Sequence, residues 1–595
     1  MPTDTVKSPN RSSTTNGASD APSLTGAEIF VRSLEAEGVD RVFGHPGGAV
    51  IKIYDAMEQI QPAYDHVLVR HEQGGTHAAE GYAKATGRVG TVLVTSGPGA
   101  TNTVTGIADA YLDSVPIVVF TGQVPTHLIG NDSFQETDTT GVTRSITKHN
   151  FLVRDVADLA PTIKKAYHIA RTGRPGPVVV DIPKDVQMDE TTFFYPDEPD
   201  LPGYSVPGKS SPKQADRAAR MIQEAEKPLL YVGGGTINAD APEVLTKLAH
   251  KTNIPVTTTL HGLGAFPETD DLALGWLGMH GFYHTNMAVQ NADLIVACGA
   301  RFDDRVTGKV DAWAPNAEII HIDIDPSCVS KNVYADCALI GDAQKVLEQL
   351  LPRVEPKDTT DWLAQIDEWR EECPPYQYDA PAGDQISPQF VVEQLYEKTK
   401  GDAVMVTDVG QHQMWVCQHY KFGHTRSHIS SGGLGTMGFG FPAAMGAAFG
   451  MREGRDLPVV CVTGDGGFVM NGQELSVAAA HGLPIKVAVI NNNYLGMVRQ
   501  WQSLFHEDRF SHTDLKPTNP DFVKLAEAHH CAGLRATSPD EVAGVLEEAW
   551  AIDDRPVVMD FQVPKEEMVF PMVPSGAASD DMLTEMFNKE KMADK

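Results

Sequence analysis

Residues 459–493 read VVCVTGDGGFVMNGQELSVAAAHGLPIKVAVINNN. The run Val459–Thr463 is apolar without alternation, which marks a strand covered on both faces. It ends in Gly464-Asp465-Gly466-Gly467. A helix is expected beyond, with Asn471 as a candidate N-cap and Glu474 three residues on, the pattern of a capping box. A second apolar run, Val487–Ile490, ends in Asn491-Asn492-Asn493. One crossover helix between two neighbouring parallel strands would bring Asp465 and Asn492, 27 residues apart, together at the strands' carboxyl ends, where ligands bind in open α/β sheets. The glycines let backbone N–H groups approach an anion closely, and Asp465 offers Mg²⁺ a hard oxygen. A lone Gly-Asp-Gly is an ordinary turn. The whole series of strand, GDGG, helix, strand and Asn-Asn points to a Mg²⁺–diphosphate site.

The same grammar extends outward along the chain. Further continuous apolar runs lie at Thr91–Thr95, Ile117–Thr121, Val178–Ile182, Leu229–Val232, Leu294–Ala297, Ile319–Ile324, Val404–Thr407 and Val557–Phe561. Gly-rich turns and helical stretches follow several of them, so the expected class is α/β, built as three doubly wound parallel-sheet domains. Two acidic, Pro-containing stretches break the rhythm and read as linkers. The expected division is a disordered tail 1–22, a first domain 23–190, a linker 191–212, a central domain 213–352, a linker 353–387, a third domain 388–575 and a C-terminal tail 576–595.

Composition narrows the function classes. The 595 residues carry 48 Lys and Arg against 79 Asp and Glu, a formal net charge of −31. Such a chain repels nucleic acid and anionic membrane surfaces, so neither is expected as a partner. A phosphate ligand would need a local site or a cation, and so acidic a surface suits a halophilic, high-salt setting. No apolar run approaches the ~18–20 residues that span a bilayer. Residues 1–22 lack both the apolar core of a secretory signal and the Arg content of a transit peptide. The seven cysteines are scattered with no CxxC, which favours buried thiols in a reducing compartment. The expected location is cytoplasmic.

GDG followed by Asn-Asn at this interval resembles the thiamine-diphosphate signature. The companion motifs VFGHPGGAVIKIYDAM, RHEQGGTHAAEGYAKATG, TSGPGATN, IGNDSFQETD, RPGPVVVDIPKDV, GARFDDRVTG, TDVGQHQMW, GGLGTMGFGFPAAMGAA and NNNYLGMVRQW resemble one family within it, the large catalytic subunit of acetohydroxyacid synthase (acetolactate synthase). The likeness runs from about Thr25 to about Pro574. It implies pyrimidine-binding, central FAD-binding and diphosphate-binding domains. It also implies thiamine diphosphate, Mg²⁺ and a FAD that does no net redox work. The implied reaction is decarboxylative condensation of pyruvate with pyruvate or 2-oxobutanoate, the first common step of branched-chain amino-acid synthesis.

By that resemblance Glu72 hydrogen-bonds N1′ of the cofactor's aminopyrimidine, so that the neighbouring amino group can act as a base. Met437 supports the bent cofactor, with Gly435 beside it. Gly410, Gln411, His412, Gly466, Gly467, Gly496 and Met497 contact the cofactor, and Asp465, Asn492 and the main-chain carbonyl of Tyr494 hold the metal. For FAD the implied set is Arg174, Gly233, Gly234, Gly235, Thr259, Leu260, Met279, His280, Gly299, Arg301, Asp303, Asp325 and Asp342. On the residues alone, the glycine triplet fits a plain tight turn as well as a nucleotide site. Asp323 and Asp325 stand where a carboxylate could accept ribose hydroxyls. Arg305 would pair with the second substrate's carboxylate, and Trp501 and Met279 would border its alkyl group. Gly48, Phe134, Gln135 and Lys184 match other positions lining the reaction cavity.

The resemblance implies a homodimer or tetramer with sites shared between copies, and a separate small regulatory subunit, because no ACT-like extension is present in this chain. Small departures from the family pattern, at Gly75, Ala78, Gly467 and Asn493, remove no required group. Pyruvate oxidase is the nearest rival and glyoxylate carboligase and pyruvate decarboxylase are more distant. Arg305 and Trp501 speak for the synthase, Glu72 speaks against the carboligase, and the paired catalytic histidines of the decarboxylase are not found. A catalytically silent homologue is disfavoured by the intact cofactor-contacting groups.

Overall fold

The computed structural model describes residues 22–375, 378 and 385–584. The expected N-terminal tail, apart from Pro22, lies outside these residues. Three six-stranded sheets follow one another along the chain, each parallel throughout. The first runs in the spatial order Asp65–Leu68, Arg41–His45, Gly90–Val94, Ile117–Gln123, Val178–Pro183, His149–Leu152. Numbered within its own block, that is 2-1-3-4-6-5. The third sheet has the same order, from His428–Ile429 through Val404–Thr407, Val459–Gly464, Lys486–Asn491 and Val557–Gln562 to Ala532–Ala536. The central sheet differs. Its order is Ala273–Trp276, Val256–Thr258, Pro228–Val232, Leu294–Cys298, Glu318–Asp323, Cys337–Ile340, or 3-2-1-4-5-6, the order of dinucleotide-binding folds.

In each sheet the strand order reverses beside the first strand, and that reversal leaves a crevice at the carboxyl ends. In the third sheet it falls between Val404–Thr407 and Val459–Gly464, and in the central one between Pro228–Val232 and Leu294–Cys298. These two crevices, with their counterpart in the first sheet, position the candidate site residues.

The first and third blocks are joined by two helices of small residues, Glu72–Thr86 and Gly440–Arg452. The Glu72 helix starts with His71 as N-cap, whose Nδ1 accepts from Gln73 N at 3.2 Å, and stops at Gly87 in the left-handed region (φ 76°). Its partner is buried from Gly440 to Met451. The backbones touch: a Cβ on Gly81 would stand 2.0 Å from Ala443 O, and one on Gly446 would stand 1.8 Å from Ala78 O. One continuous apolar core therefore includes residues of both blocks, from Phe43 and Val92 to Phe449 and Val487.

Several expectations need correction. No capping box forms at Asn471. Its Nδ2 donates to Gly438 O at 2.8 Å and the Glu474 carboxylate reaches out to Arg70 and His71, so both side chains serve other segments. The short helix begins at Asp465 itself and ends at Phe468. The linker 353–387 contains a helix, Thr360–Glu372, which buries Trp362 and Ile366 against the central block. In the linker 191–212, Tyr195 donates to Glu37 Oε1 at 2.7 Å, and Phe193, Tyr195 and Leu201 pack on the first core. Residues 576–584 of the expected C-terminal tail are packed as well. Lys309 N donates to Ala577 O at 3.0 Å, Met572 bridges to Leu583, and Met582 is buried.

Candidate active site

The crevice of the third sheet holds a small cavity lined by Gly410, Gln411, His412, Met437, Asp465, Gly466, Gly467, Asn492, Tyr494, Gly496 and Met497, the residues expected to bind diphosphate and metal. Val460–Gly464 pairs in parallel register with Lys486–Ile490, which sets Asp465 and Asn492 at adjacent strand ends. Asp465 is buried, and burial pushes its carboxyl up to about 6 against the pull of the Asn519 amide, which donates to its Oδ2 at 2.6 Å. His412 is buried too. Burial drives its imidazole down to about 3, so the ring is neutral near pH 7, and its Nε2 has no hydrogen-bond partner. A buried orphan polar atom is costly, and here it lines the cavity beside the glycine turn. In the tautomer that carries the ring proton on Nε2, an anionic group placed there would satisfy it.

Asp408 organises this floor, and sequence reasoning missed it. Its buried carboxylate accepts from Val409 N (2.6 Å), Gly438 N (2.9 Å) and Gly440 N (3.3 Å), and so fixes the turn that presents Met437. A Cβ on Gly467 would stand 2.9 Å from Asp408 Oδ1, so this carboxylate alone explains that glycine. The available signal was a carboxylate at the end of Val404–Thr407, two residues before Gly410. Asn519 carried no comparable signal.

A cavity of about 810 Å³ opens at the reversal of the central sheet. Its walls include Arg174, Gly233, Gly234, Gly235, Thr259, Leu260, Met279, His280, Gly299, Arg301, Asp303 and Asp342. Asp323 lines it, whereas Asp325 does not and instead lies 3.7 Å from Arg174 Nη1. The glycine triplet has a packing cause of its own, since a Cβ on Gly233 would stand 2.2 Å from Gly299 O. Arg305, Trp501, Met497 and Gly435 also line this cavity. There Arg305 Nη1 lies 3.7 Å from the Met279 sulfur, and Met279 N donates to Arg305 O at 2.7 Å. The Arg305 side chain is 59% exposed, and the Asp304 carboxylate 3.8 Å away is more exposed still, so the guanidinium is open to an incoming carboxylate.

Glu72, Gly48, Phe134, Gln135 and Lys184 line neither cavity. They gather at the carboxyl ends of the first sheet. Glu72 follows Asp65–Leu68, Gly48 follows Arg41–His45, Gln135 sits in the loop after Ile117–Gln123, and Lys184 directly follows Val178–Pro183. Asn102 Nδ2 donates to Glu72 Oε2 at 2.9 Å, a contact that no sequence reading singled out, although Asn102 ends the TSGPGATN motif. Phe134 is 89% exposed. This face is formed but open.

The loop bearing Phe134 and Gln135 is anchored at its base, at Thr137. Gln123 Nε2 donates to Thr137 O at 2.7 Å and to Asp181 Oδ2 at 2.8 Å, and Thr121 Oγ1 donates to Asp181 Oδ1 at 2.6 Å. Burial pushes the Asp181 carboxyl up from 3.8 to about 7. A pKa raised on folding gives stability that is full below the unfolded value and is lost as pH rises through the folded one. Relative to Asp181→Asn, the natural chain is therefore expected to lose stability between about pH 4 and pH 7 and to hold level above. Urea midpoints of the two proteins across that range check this; a difference independent of pH would contradict it.

Comparison with known proteins gives three matches in chain order. Residues 24–142 match the thiamine pyrophosphate enzyme N-terminal TPP binding domain, 215–350 the central domain and 408–561 the C-terminal TPP binding domain. The acetolactate synthase large subunit of Corynebacterium glutamicum is 49% identical over 575 residues, covering 95% of this chain and 91% of that protein. The acetolactate synthase isozyme 3 large subunit of Escherichia coli is 48% identical over 571 residues, covering 94% and 98%. The acetolactate synthase large subunit of Haemophilus influenzae is 47% identical over 569 residues, again covering 94% and 98%.

Proposed function

The chain belongs to the acetolactate synthase large-subunit family of thiamine-pyrophosphate enzymes, and from that premise we propose how its residues divide the reaction. Its activity is that of a thiamine-diphosphate-dependent acetolactate synthase in the route to branched-chain amino acids. The proposed substrates are pyruvate with a second pyruvate, giving 2-acetolactate and CO₂, or pyruvate with 2-oxobutanoate, giving 2-aceto-2-hydroxybutanoate and CO₂. The observation that carries this reading is the small cavity, where Asp465, Asn492 and the orphaned His412 Nε2 converge on one crevice.

Thiamine diphosphate, when bound, supplies the carbon centre that adds to a 2-oxo acid and takes up the electrons released with CO₂. Asp465, Asn492 and the Tyr494 carbonyl would hold Mg²⁺, whose preference is for hard oxygen ligands. His412, in the tautomer protonated at Nε2, would donate to a diphosphate oxygen. Glu72 would hold or release a proton at the pyrimidine ring, with its second oxygen pinned by Asn102. Arg305 would take the second substrate's carboxylate by a charge-assisted contact. Trp501 and Met279 would border the alkyl group, where one extra methylene is worth ~1–3 kcal/mol of preference.

FAD is the proposed occupant of the large cavity, with no net redox role. The support is the 3-2-1-4-5-6 strand order, the cavity's place at the reversal point and its size. A homodimer is proposed because the Glu72 face borders neither cavity within one chain and would need a second copy's cavity opposite it. The relatives are named large subunits, which implies a separate small subunit. No helix among the described residues is long and apolar enough to cross a membrane. A cytoplasmic, saline setting is proposed from the net charge of −31.

Product analysis tests the whole reading. With thiamine diphosphate, Mg²⁺ and FAD, the protein should form 2-acetolactate from pyruvate alone and add the four-carbon-acceptor product when 2-oxobutanoate is present. Both should rise between low and high salt. Pyruvate consumed with peroxide and no acetolactate would favour an oxidase instead.

A further inference from the structure

Glu474 is fully buried, yet it belongs to neither cavity and no reading of the motif gave it a role in another domain. Its Oε1 accepts from Arg70 N at 3.0 Å and from His71 N at 3.0 Å, and its Oε2 accepts from Arg70 N at 3.1 Å. The donors are some 400 residues away in sequence and come from the other block. They are also the two residues directly before Glu72, and His71 is the N-cap of the Glu72 helix. A carboxylate accepting main-chain N–H groups makes a strong and directional contact.

A second, independent feature points the same way. Gly74 lies in the first turn of that helix, and a Cβ there would stand 2.9 Å from Glu474 Oε1. The helix keeps a glycine in its first turn, where alanine would favour helix by about 1 kcal/mol, and the space left is filled by the carboxylate. Glu474 ends the short 3-10 turn Gly472–Glu474 that follows the Asp465–Phe468 helix. One segment thus carries the expected metal ligand at its start and grips the root of the Glu72 helix at its end.

We propose that Glu474 is a positioning residue: by holding the backbone of Arg70 and His71 it sets the height and direction of the Glu72 carboxylate. It does not touch cofactor or substrate. The inference rests on the proposed role of Glu72, and its physical core, the grip on two amides, stands apart from any activity. A displacement of about 1 Å at a reacting group can cost 10²-fold in rate, so the effect should appear in kcat and not in cofactor binding.

Three variants test this. Glu474→Gln keeps the Oε1 acceptor but turns an amide N–H₂ toward Arg70 N; kcat should fall ~10-fold. Glu474→Asp is one methylene short and should lose ~10²-fold. Gly74→Ala leaves Glu474 in place, favours the helix and pushes the carboxylate from the other side; it too should lower kcat, and it guards against poor folding of the first two. In all three, the thiamine diphosphate Kd from titration calorimetry and the KM for pyruvate should stay within about 3-fold of the natural values. Amide hydrogen exchange at Arg70 and His71 should speed up at least 10-fold in the Glu474 variants. Exchange unchanged there would overturn the grip. Faster exchange with undiminished kcat in folded variants would overturn the positioning role. A natural protein that made no acetolactate would count against the functional reading alone, because the exchange result is read without turnover.

Discussion

Glu72→Gln is expected to cut kcat by ~10²–10⁴-fold, the usual worth of a positioned proton-transfer group, and to leave the fold intact. Glutamine matches the shape of the side chain but cannot carry the proton. Asn102 Nδ2, which donates to Glu72 Oε2 at 2.9 Å, can still donate to a glutamine carbonyl, so the side chain should keep its place. The residue is the first of its helix, and no buried ion pair among the described residues depends on it. The thermal midpoint should therefore stay close to that of the natural protein while turnover collapses. Steady-state kinetics beside a melting curve make the check. Undiminished turnover would remove Glu72 from the chemistry, and a large drop in midpoint would make the loss structural.

The second large effect is expected at Asp465. Asp465→Asn keeps the volume and the neighbour Asn519 but replaces a charged oxygen pair by an amide. Mg²⁺ demands hard oxygen ligands in near-octahedral array, and even groups that merely orient a metal ligand are worth 10–100-fold in affinity. Loss of the proposed ligand itself should weaken Mg²⁺-dependent thiamine diphosphate binding by at least ~10²-fold. Activity should fall in proportion at limiting cofactor and recover in part at high Mg²⁺. The content of the flavin proposed for the large cavity serves as the control, because that cavity is built from other residues, and it should not change. Equilibrium dialysis of cofactor against Mg²⁺ measures the effect. Unaltered cofactor affinity would displace Asp465 from the metal site.

How much of this was legible in the sequence follows from what covers each strand. All ten strands recognised from apolar runs are interior strands of the three sheets, flanked on both edges and covered on both faces. All six edge strands were missed, among them Asp65–Leu68 and His428–Ile429, because an edge strand needs only one apolar face and is often short. Two interior strands were missed with them, Arg41–His45 and the three-residue Val256–Thr258. The helix Thr360–Glu372 hid within an acidic stretch, although Trp362, Ile366 and Trp369 recur at helical spacing. For the site, residues at strand ends were legible because the fold puts ligands there. Asp408, Asn102 and Glu474 were not, since each acts on backbone or side chains brought near only by the tertiary fold. The misread capping box shows the limit: a Glu three residues after an Asn fits a local cap, and nothing local reveals a stronger claim from Arg70 and His71.

The contact between the Glu72 helix and the Gly440 helix also constrains how this molecule can move. With Gly81 and Gly446 seated against opposing carbonyls, the two backbones have no side-chain cushion to slide on. Interfaces packed this closely are bistable, not compliant; they stay shut or come apart. The first and third blocks should therefore travel as one rigid frame through a catalytic cycle, and admitting substrate or releasing product falls to surface segments such as the loop around Phe134. Relaxation-dispersion signals should accordingly concentrate in that loop and be silent along the helix seam.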